Sequence, residues 1–347
     1  MIRFVQNKNI DIFLFEEIIR DSGKSNHFTN NGPAKFALER KLEELLDIGC
    51  DKAVLCVANG TLALHSIYLF LNKKYGKLKF VSPSFTFPSC SVSNWGIQIL
   101  DIENKNYTIP LTEENLDKYD AFIITNLFGT YPKNIDQWIS KCKEKNKILI
   151  FDNASSPLSK VGGVNICNLG DFSFGSLHHT KYLGFGEGGF LVVPKELYEE
   201  FESILGFGFS SKSVQRKHNK HSSNFKMSDV AAAAILQHIE RYDIETHMHN
   251  QKKLIAELSE IQDIKIFNYS DGVVYGNMPI LFDKPTEISF FRDNHVEAQK
   301  YYYPLRKHNN SLLLYRRMIN LPLHASLVEF EIEKIIKNSK EFSKWIR

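Results

Sequence analysis

The chain has 347 residues, 43% hydrophobic and 24% charged, with a net charge of +3 and a pI of about 8.4. So mild a basic excess argues against nucleic acid as a partner, and no uninterrupted apolar run reaches membrane-spanning length. The N-terminal Met-Ile-Arg-Phe-Val-Gln-Asn-Lys has no signal-peptide core, and the five cysteines (Cys50, Cys56, Cys90, Cys142, Cys167) lack CxxC spacing, so a reducing, cytoplasmic setting without disulfides, zinc or membrane is expected.

Residues 1–33 read as an N-terminal arm ending in the turn-rich Thr29-Asn-Asn-Gly-Pro33. Apolar positions recur at helical spacing over 34–46, at Phe36, Leu38, Leu42 and Leu45-Leu46. Ala53-Val-Leu-Cys-Val-Ala58 has a buried-strand pattern. It breaks at Asn59-Gly60-Thr61 and passes into an apolar helix over 62–71. Such a strand, glycine turn and helix aims free amides and the positive end of a helix dipole at an anion, although an ordinary strand-to-helix turn has the same pattern.

Strands are next expected over 79–83, with the aromatic Phe85-Thr-Phe87 beyond, then over 96–102 and 121–125. A helix follows over 134–145, then Lys147-Ile-Leu-Ile-Phe-Asp152 and two further strands at 171–174 and 189–193. Strands alternating with helices at this spacing indicate an α/β domain with a mostly parallel sheet, whose functional groups lie at the carboxyl ends of strands. Residues 210–226 are polar and basic. They form either a solvated loop or a flap that grips an anion. A single long helix is expected over 227–261, with small residues at Ala231–Ala234. A second unit follows, with strand-like pieces at 264–267, 272–282 and 296–303 and an amphipathic helix over 327–346. The expected division is an arm and large α/β domain with flap over 1–226, and a linking helix and small C-terminal domain over 227–347.

One loop carries the chemistry: Gly175-Ser-Leu-His-His-Thr-Lys181-Tyr-Leu-Gly-Phe-Gly186-Glu-Gly-Gly189. It lies between two apolar runs, so Lys181 loses water, its pKa falls, and its neutral amine becomes a nucleophile. Such an amine suits a Schiff base with an aldehyde. Pyridoxal phosphate (PLP) also needs a carboxylate for its ring nitrogen, a flat side chain against the ring and donors for its phosphate. Strand ends supply Asp152, Phe87 or Phe85, and Gly60-Thr61 with Ser176. Singly, Asp152 could cap a turn and Phe87 could fill a core; together in one α/β domain they point to PLP. No GxGxxG follows the first strand, and GxxxxGK[ST] is absent.

These motifs, together with Asn59-Gly-Thr-Leu-Ala-Leu64, Ser82-Pro-Ser-Phe-Thr-Phe87, Asp152-Asn-Ala154, Asn224-Phe-Lys-Met227, Tyr301-Tyr-Tyr-Pro-Leu305 and Leu321-Pro-Leu-His324, resemble the DegT/DnrJ/EryC/StrS sugar-nucleotide aminotransferases along nearly the whole chain. The resemblance implies the fold type I PLP-transferase architecture, a large α/β domain with a mostly parallel seven-stranded sheet plus a smaller α/β C-terminal domain. It further implies that Lys181 bears the cofactor and moves protons, that Asp152 pairs with the ring nitrogen, and that Phe87 stacks on the ring. Gly60, Thr61 and Ser176 would hold the phosphate and Ser155 would lie beside the ring. Asn224 would reach the phosphate of a partner subunit, making an obligate homodimer.

The activity so implied is transfer of an amino group from L-glutamate, through pyridoxamine phosphate, to a keto group of a nucleotide-linked hexose. The best candidate is dTDP-4-keto-6-deoxy-D-glucose, giving a 4-amino-4,6-dideoxy sugar for a surface glycan such as lipopolysaccharide O-antigen. His178, Lys212, Arg216, Lys217, Lys220, Tyr302 and Arg306 are candidates for holding the sugar nucleotide. Three positions depart from the family pattern: Ser155 stands where Gln or His is usual, Lys226 where Arg is, and Arg306 where His is. Alternative readings are a 3-keto or UDP-linked sugar as acceptor, a pyridoxamine-dependent sugar dehydratase, or a non-catalytic sensor. Such dehydratases carry His in place of the lysine; His178 and His179 are close, but Lys181 is in the family's register.

Overall fold

A computed structural model describes residues 1–91, 95–210 and 219–346. The first half contains α1 (Ile12–Lys24), α2 (Pro33–Leu45), β1 (Lys52–Val57), α3 (Gly60–Tyr75), β2 (Phe80–Pro83), β3 (Gln98–Leu100), α4 (Glu113–Lys118), β4 (Ala121–Thr125), α5 (Ile135–Glu144) and β5 (Ile148–Asp152). There follow β6 (Lys160–Val161), β7 (Val164–Asn165), β8 (Phe172–Ser176), β9 (Gly189–Pro194), α6 (Tyr198–Leu205), α7 (Asp229–Arg241), α8 (Ile244–Ser259), β10 (Ile264–Ile266), β11 (Met278–Phe282), α9 (Ser289–Asp293), α10 (Asn309–Arg317), β12 (Met318–Leu321) and α11 (Glu329–Ile346).

The main sheet has seven strands in the order β1-β9-β8-β5-β4-β2-β3. All neighbours pair in parallel except β9, which is antiparallel to both β8 and β1. Six strands therefore point one way, and the start of β9 meets their carboxyl ends. The near-continuous apolar runs in β1, β4 and β5 reflect cover on both faces. Val54 and Cys56 pack with α2 and α7 on one side, while Leu55 and Val57 pack with α3 and α6 on the other. This is the α/β arrangement that the strand–helix alternation indicates, and the fold type I architecture that the resemblance implies.

Two glycines set close approaches. A Cβ on Gly189 would lie 2.4 Å from Asn59 C and Gly60 N, so only glycine lets β9 begin against the N-terminus of α3. A Cβ on Gly32 would lie 2.2 Å from Asp229 Oδ2. Asp229, fully buried, accepts hydrogen bonds from Ala34 N (3.0 Å), Lys35 N (3.2 Å) and Ser22 Oγ (2.6 Å). The Thr29-Asn-Asn-Gly-Pro33 motif thus starts α2 over a carboxylate from α7, with Pro33 in the first turn where its missing N–H costs nothing.

The three-stranded antiparallel sheet β10-β11-β12 packs with α8 and α11 around a second core of Leu254, Phe282, Ile319 and Ile335. Two expectations are corrected. The single helix over 227–261 is broken: Tyr242 is extended (ψ 118°), and Asp243 caps a new helix by accepting from Thr246 N at 2.9 Å. The strand expected at 296–303 is replaced by isolated bridges, Val296 with Ile2 and Gln299 with Asn320. The N-terminal segment reaches these residues because its backbone bonds there, Ile2 N to His295 O and Phe4 N to Glu297 Oε2, both 2.9 Å. Among the described residues no helix is long and apolar enough to cross a membrane.

Asp229→Ala leaves two α2 amides and the Ser22 hydroxyl without their buried acceptor, and should lower unfolding free energy by roughly 2–4 kcal/mol in urea titrations, with Asp229→Asn costing less.

Candidate active site

A cavity of about 650 Å³ opens at the carboxyl edge of the main sheet. On one side stands the N-terminus of α3. Asn59 caps it, its side chain accepting from Leu62 N at 3.0 Å, which leaves the first-turn amides of Gly60 and Thr61 at the cavity. Gly60 also lies against β8: its Cβ would sit 3.2 Å from Gly175 O and 3.4 Å from Ser176 Cβ. Ser176, the last residue of β8, brings its hydroxyl to the same wall.

Asp152 ends β5 and is 3% exposed. Its Oδ1 accepts from Ala154 N at 3.0 Å, and the Thr125 hydroxyl bonds to it as well. Burial pushes its pKa up to about 6, opposed by the Ala154 amide, the charge of Lys181 and Thr125. Lys181 enters from the loop after β8. Burial lowers its ammonium pKa, with Asp152 acting in the opposite sense. The two groups thus move toward each other, each destabilised as an isolated buried charge.

Phe87 is 53% exposed at the cavity, whereas Phe85 is fully buried in the second core; of the two aromatics, Phe87 is the one lining the site. Phe87 meets Tyr302 edge-on at 6.3 Å. Tyr302 stacks on Phe128 at 5.6 Å, and its hydroxyl bonds to buried Ser155. Burial and the charge of Asp152 raise the phenol well above its ordinary value. His178 lies at the rim, its Nδ1 2.9 Å from Thr180 Oγ1 and its Nε2 3.5 Å from Glu187 Oε1.

The cavity therefore gathers Gly60, Thr61, Phe87, Asp152, Ser155, Ser176, His178, Lys181 and Tyr302 from segments far apart in sequence. Other candidates lie elsewhere in the chain. Asn224 is exposed and bridges Gly206, and Lys220 is exposed; neither lines the cavity. Arg306 lines a separate surface pocket with Cys90 and Gly96, its backbone held by Ser84 Oγ, which accepts from Arg306 N (3.0 Å) and donates to Arg306 O (2.8 Å). Lys212, Arg216 and Lys217 lie outside the described residues.

Sequence reasoning missed Thr125, Tyr301 and Lys8. Thr125 was within reach of the strand-end rule, since it ends β4. Lys8 carries no local signal; it lies in the arm, yet lines a smaller cavity of about 100 Å³ beside Lys181 with Gln6, Asn277 and His324.

The donor set suits PLP. A buried carboxylate held by neutral donors can pair with a protonated ring nitrogen, a desolvated amine can bind an aldehyde, and a helix N-terminus with a serine hydroxyl can take a phosphate. Fold and site together define a PLP-dependent transaminase of fold type I. The chain belongs to the DegT/DnrJ/EryC1/StrS aminotransferase family, whose model matches residues 14–339. Among curated proteins it is 26% identical to dTDP-4-amino-4,6-dideoxy-D-glucose transaminase of Shigella dysenteriae, covering 92% of each chain. It is also 26% identical to GDP-perosamine synthase of Escherichia coli O157:H7, over 82% of this chain and 84% of that one. Its fold matches the aminotransferase TlmJ from Streptoalloteichus hindustanus with a TM-score of 0.84, at 19% identity and full coverage of both chains.

Because Asp152 rises from 3.8 to about 6 on folding, its carboxyl binds its proton more tightly folded than unfolded. Ionising it therefore costs the folded state stability as pH climbs through that interval. In the cofactor-free protein, Asp152→Asn should gain on the wild type by up to about 3 kcal/mol as pH rises from about 3 to about 7, measured by denaturant unfolding.

Proposed function

We propose that the chain moves an amino group from L-glutamate to the keto carbon of a nucleotide-linked 6-deoxy-hexose, with dTDP-4-keto-6-deoxy-D-glucose as the best candidate acceptor. The observation that carries this reading is the pairing of a desolvated Lys181 with a buried Asp152 in one cavity of about 650 Å³. The name of the Shigella relative supports a dTDP-linked 4-amino-4,6-dideoxy sugar, while the GDP-perosamine synthases make the nucleotide the point to be tested.

PLP, when bound, would supply an electron sink for the carbon that loses its proton. Lys181 Nζ, whose ammonium form burial disfavours, would take the proton from the donor carbon and return it at the adjoining position. Asp152 would pair with the ring nitrogen and favour its protonated form. The Gly60 and Thr61 amides and the Ser176 hydroxyl would hold the phosphate, with the dipole of α3 favouring its charge. Phe87 would lie against the ring. Ser155 and the Tyr302 hydroxyl form one hydrogen-bonded unit next to Asp152, filling the place where the family usually has Gln or His. His178 and Tyr302 face the sugar; Lys212, Arg216, Lys217 and Lys220 are the candidates to bind its diphosphate, the first three of them outside the described residues. Asn224 completes the phosphate site of the second subunit of a homodimer. Transamination is favoured over dehydration because a lysine, not a histidine, lines the cavity at 181, while His178 is engaged with Thr180 and Glu187.

The PLP-loaded protein should absorb in the visible and bleach with L-glutamate. The bleached protein should then aminate one member of a panel of dTDP-, UDP- and GDP-linked 3-keto and 4-keto sugars, followed by mass spectrometry. Lys181→Ala should lose the visible band and at least roughly a thousandfold in turnover. A spectrum that glutamate leaves unchanged would end the transaminase reading. Turnover confined to UDP- or GDP-linked members would end the dTDP assignment.

A further inference from the structure

We propose that Lys8 is a positioning residue for Lys181: its ammonium fills a cage of three backbone carbonyls in the lysine loop and fixes the turn from which the Lys181 side chain enters the cavity. This rests on Lys181 being the cofactor lysine.

Lys8 Nζ donates to His179 O at 2.8 Å and also to Lys181 O and Gly184 O. An ammonium has three donors, and all three are used here. Lys8 therefore has no proton left for a substrate carboxylate or phosphate, which separates its role from ligand binding. Three carbonyl dipoles converging on one point repel one another unless positive charge lies between them. In many proteins a bound cation fills such a cage; here a side chain from the N-terminal arm does so.

The loop has little freedom to answer the loss of that charge. His179 N bonds to Gly186 O (2.7 Å), Lys181 N to His178 O (2.8 Å), Gly184 N to Lys181 O (2.9 Å) and Phe185 N to Leu177 O (3.1 Å). A Cβ at Gly184 would lie 2.1 Å from His178 O, so the turn is packed against itself. Lys181 O is thus shared between Gly184 N and Lys8, and a movement of Lys8 acts directly on the peptide that carries the reactive side chain.

Lys8 is held from both directions along the arm. Upstream, Phe4 N bonds to Glu297 Oε2, and Arg3 O lies 3.2 Å from His324 Nε2. Downstream, Asp11 N bonds to Gln237 Oε1 at 3.2 Å, and the Asp11 side chain caps α1. The titratable groups that feel Lys8 are His179, His238 and His324, each held below its ordinary value by burial first, with the positive charge of Lys8 contributing in each case. Burial lowers Lys8 itself to about 7, an effect that its three carbonyl acceptors oppose because they favour the charged form.

The test uses full-length PLP-loaded protein with Lys8→Met and Lys8→Arg. In Lys8→Met the pH midpoint of the visible band should be displaced, and the single-turnover bleaching by glutamate slowed by about tenfold to a hundredfold with glutamate affinity within about threefold of wild type. Lys8→Arg, which keeps the charge but not the three-donor fit, should fall between. In cofactor-free Lys8→Met, amide hydrogen exchange over 177–188 should quicken. A folded Lys8→Met protein with wild-type midpoint and bleaching rate overturns the proposal. Should Lys8→Met fail to fold, Lys8→Arg decides by the same two readings. Wild-type protein that takes no cofactor would instead refute the functional reading, and unchanged exchange over 177–188 would then overturn the cage separately.

Discussion

Six of the seven strands in the main sheet run in one direction, so their carboxyl ends share one edge, and the chain must reverse just once, at β9, to close the sheet beside β1. Most features of the site follow from this constraint. Asn59 after β1, Thr125 at the end of β4, Asp152 at the end of β5 and Ser176 at the end of β8 are distant in sequence and adjacent in space. The reversal brings Gly189 hard against Asn59 and Gly60, which fixes the N-terminus of α3 where the sheet opens. A helix N-terminus and a buried carboxylate then face one cavity without any loop having to build them.

The electrostatics of the cavity depend on the same cover. Helices on both faces of the sheet remove water from the ends of β5 and β8, and this desolvation is the leading cause of the opposite shifts of Asp152 and Lys181. Burial disfavours the ionised form of both groups. A ligand that brings complementary charge offsets that penalty, so binding and the tuning of the lysine are one effect seen from two sides.

Much of this was legible in the chain. The parallel strands appear as continuous apolar runs, and strand-end reasoning led to Asp152, Gly60, Thr61, Ser176 and Lys181 because each sits where a run stops. What was hidden depended on contacts that leave no local pattern. Tyr242–Asp243 interrupts a helix without Gly or Pro, by an extended residue and an aspartate cap. Phe85 and Phe87 alternate as strand residues do, yet β2 ends at Pro83, so period two could not say which would face the cavity. Arg306 lies in the segment after Tyr302, but its backbone is pinned to Ser84 and its pocket is another one. Lys8 pairs across 171 or more positions, and nothing near it in sequence announces its partners.

That last separation bears on the order in which the molecule can be completed. Synthesis runs from the N-terminus, so Lys8 exists long before the carbonyls of His179, Lys181 and Gly184 that it serves. The anchors of its own arm, Glu297 and His324, come later still. A nascent chain can therefore pair β1 with β9 and bury much of the main sheet while the lysine loop is still without its charge. Arg3 and Phe4 are made long before His324 and Glu297, so they are among the last residues to reach their native contacts.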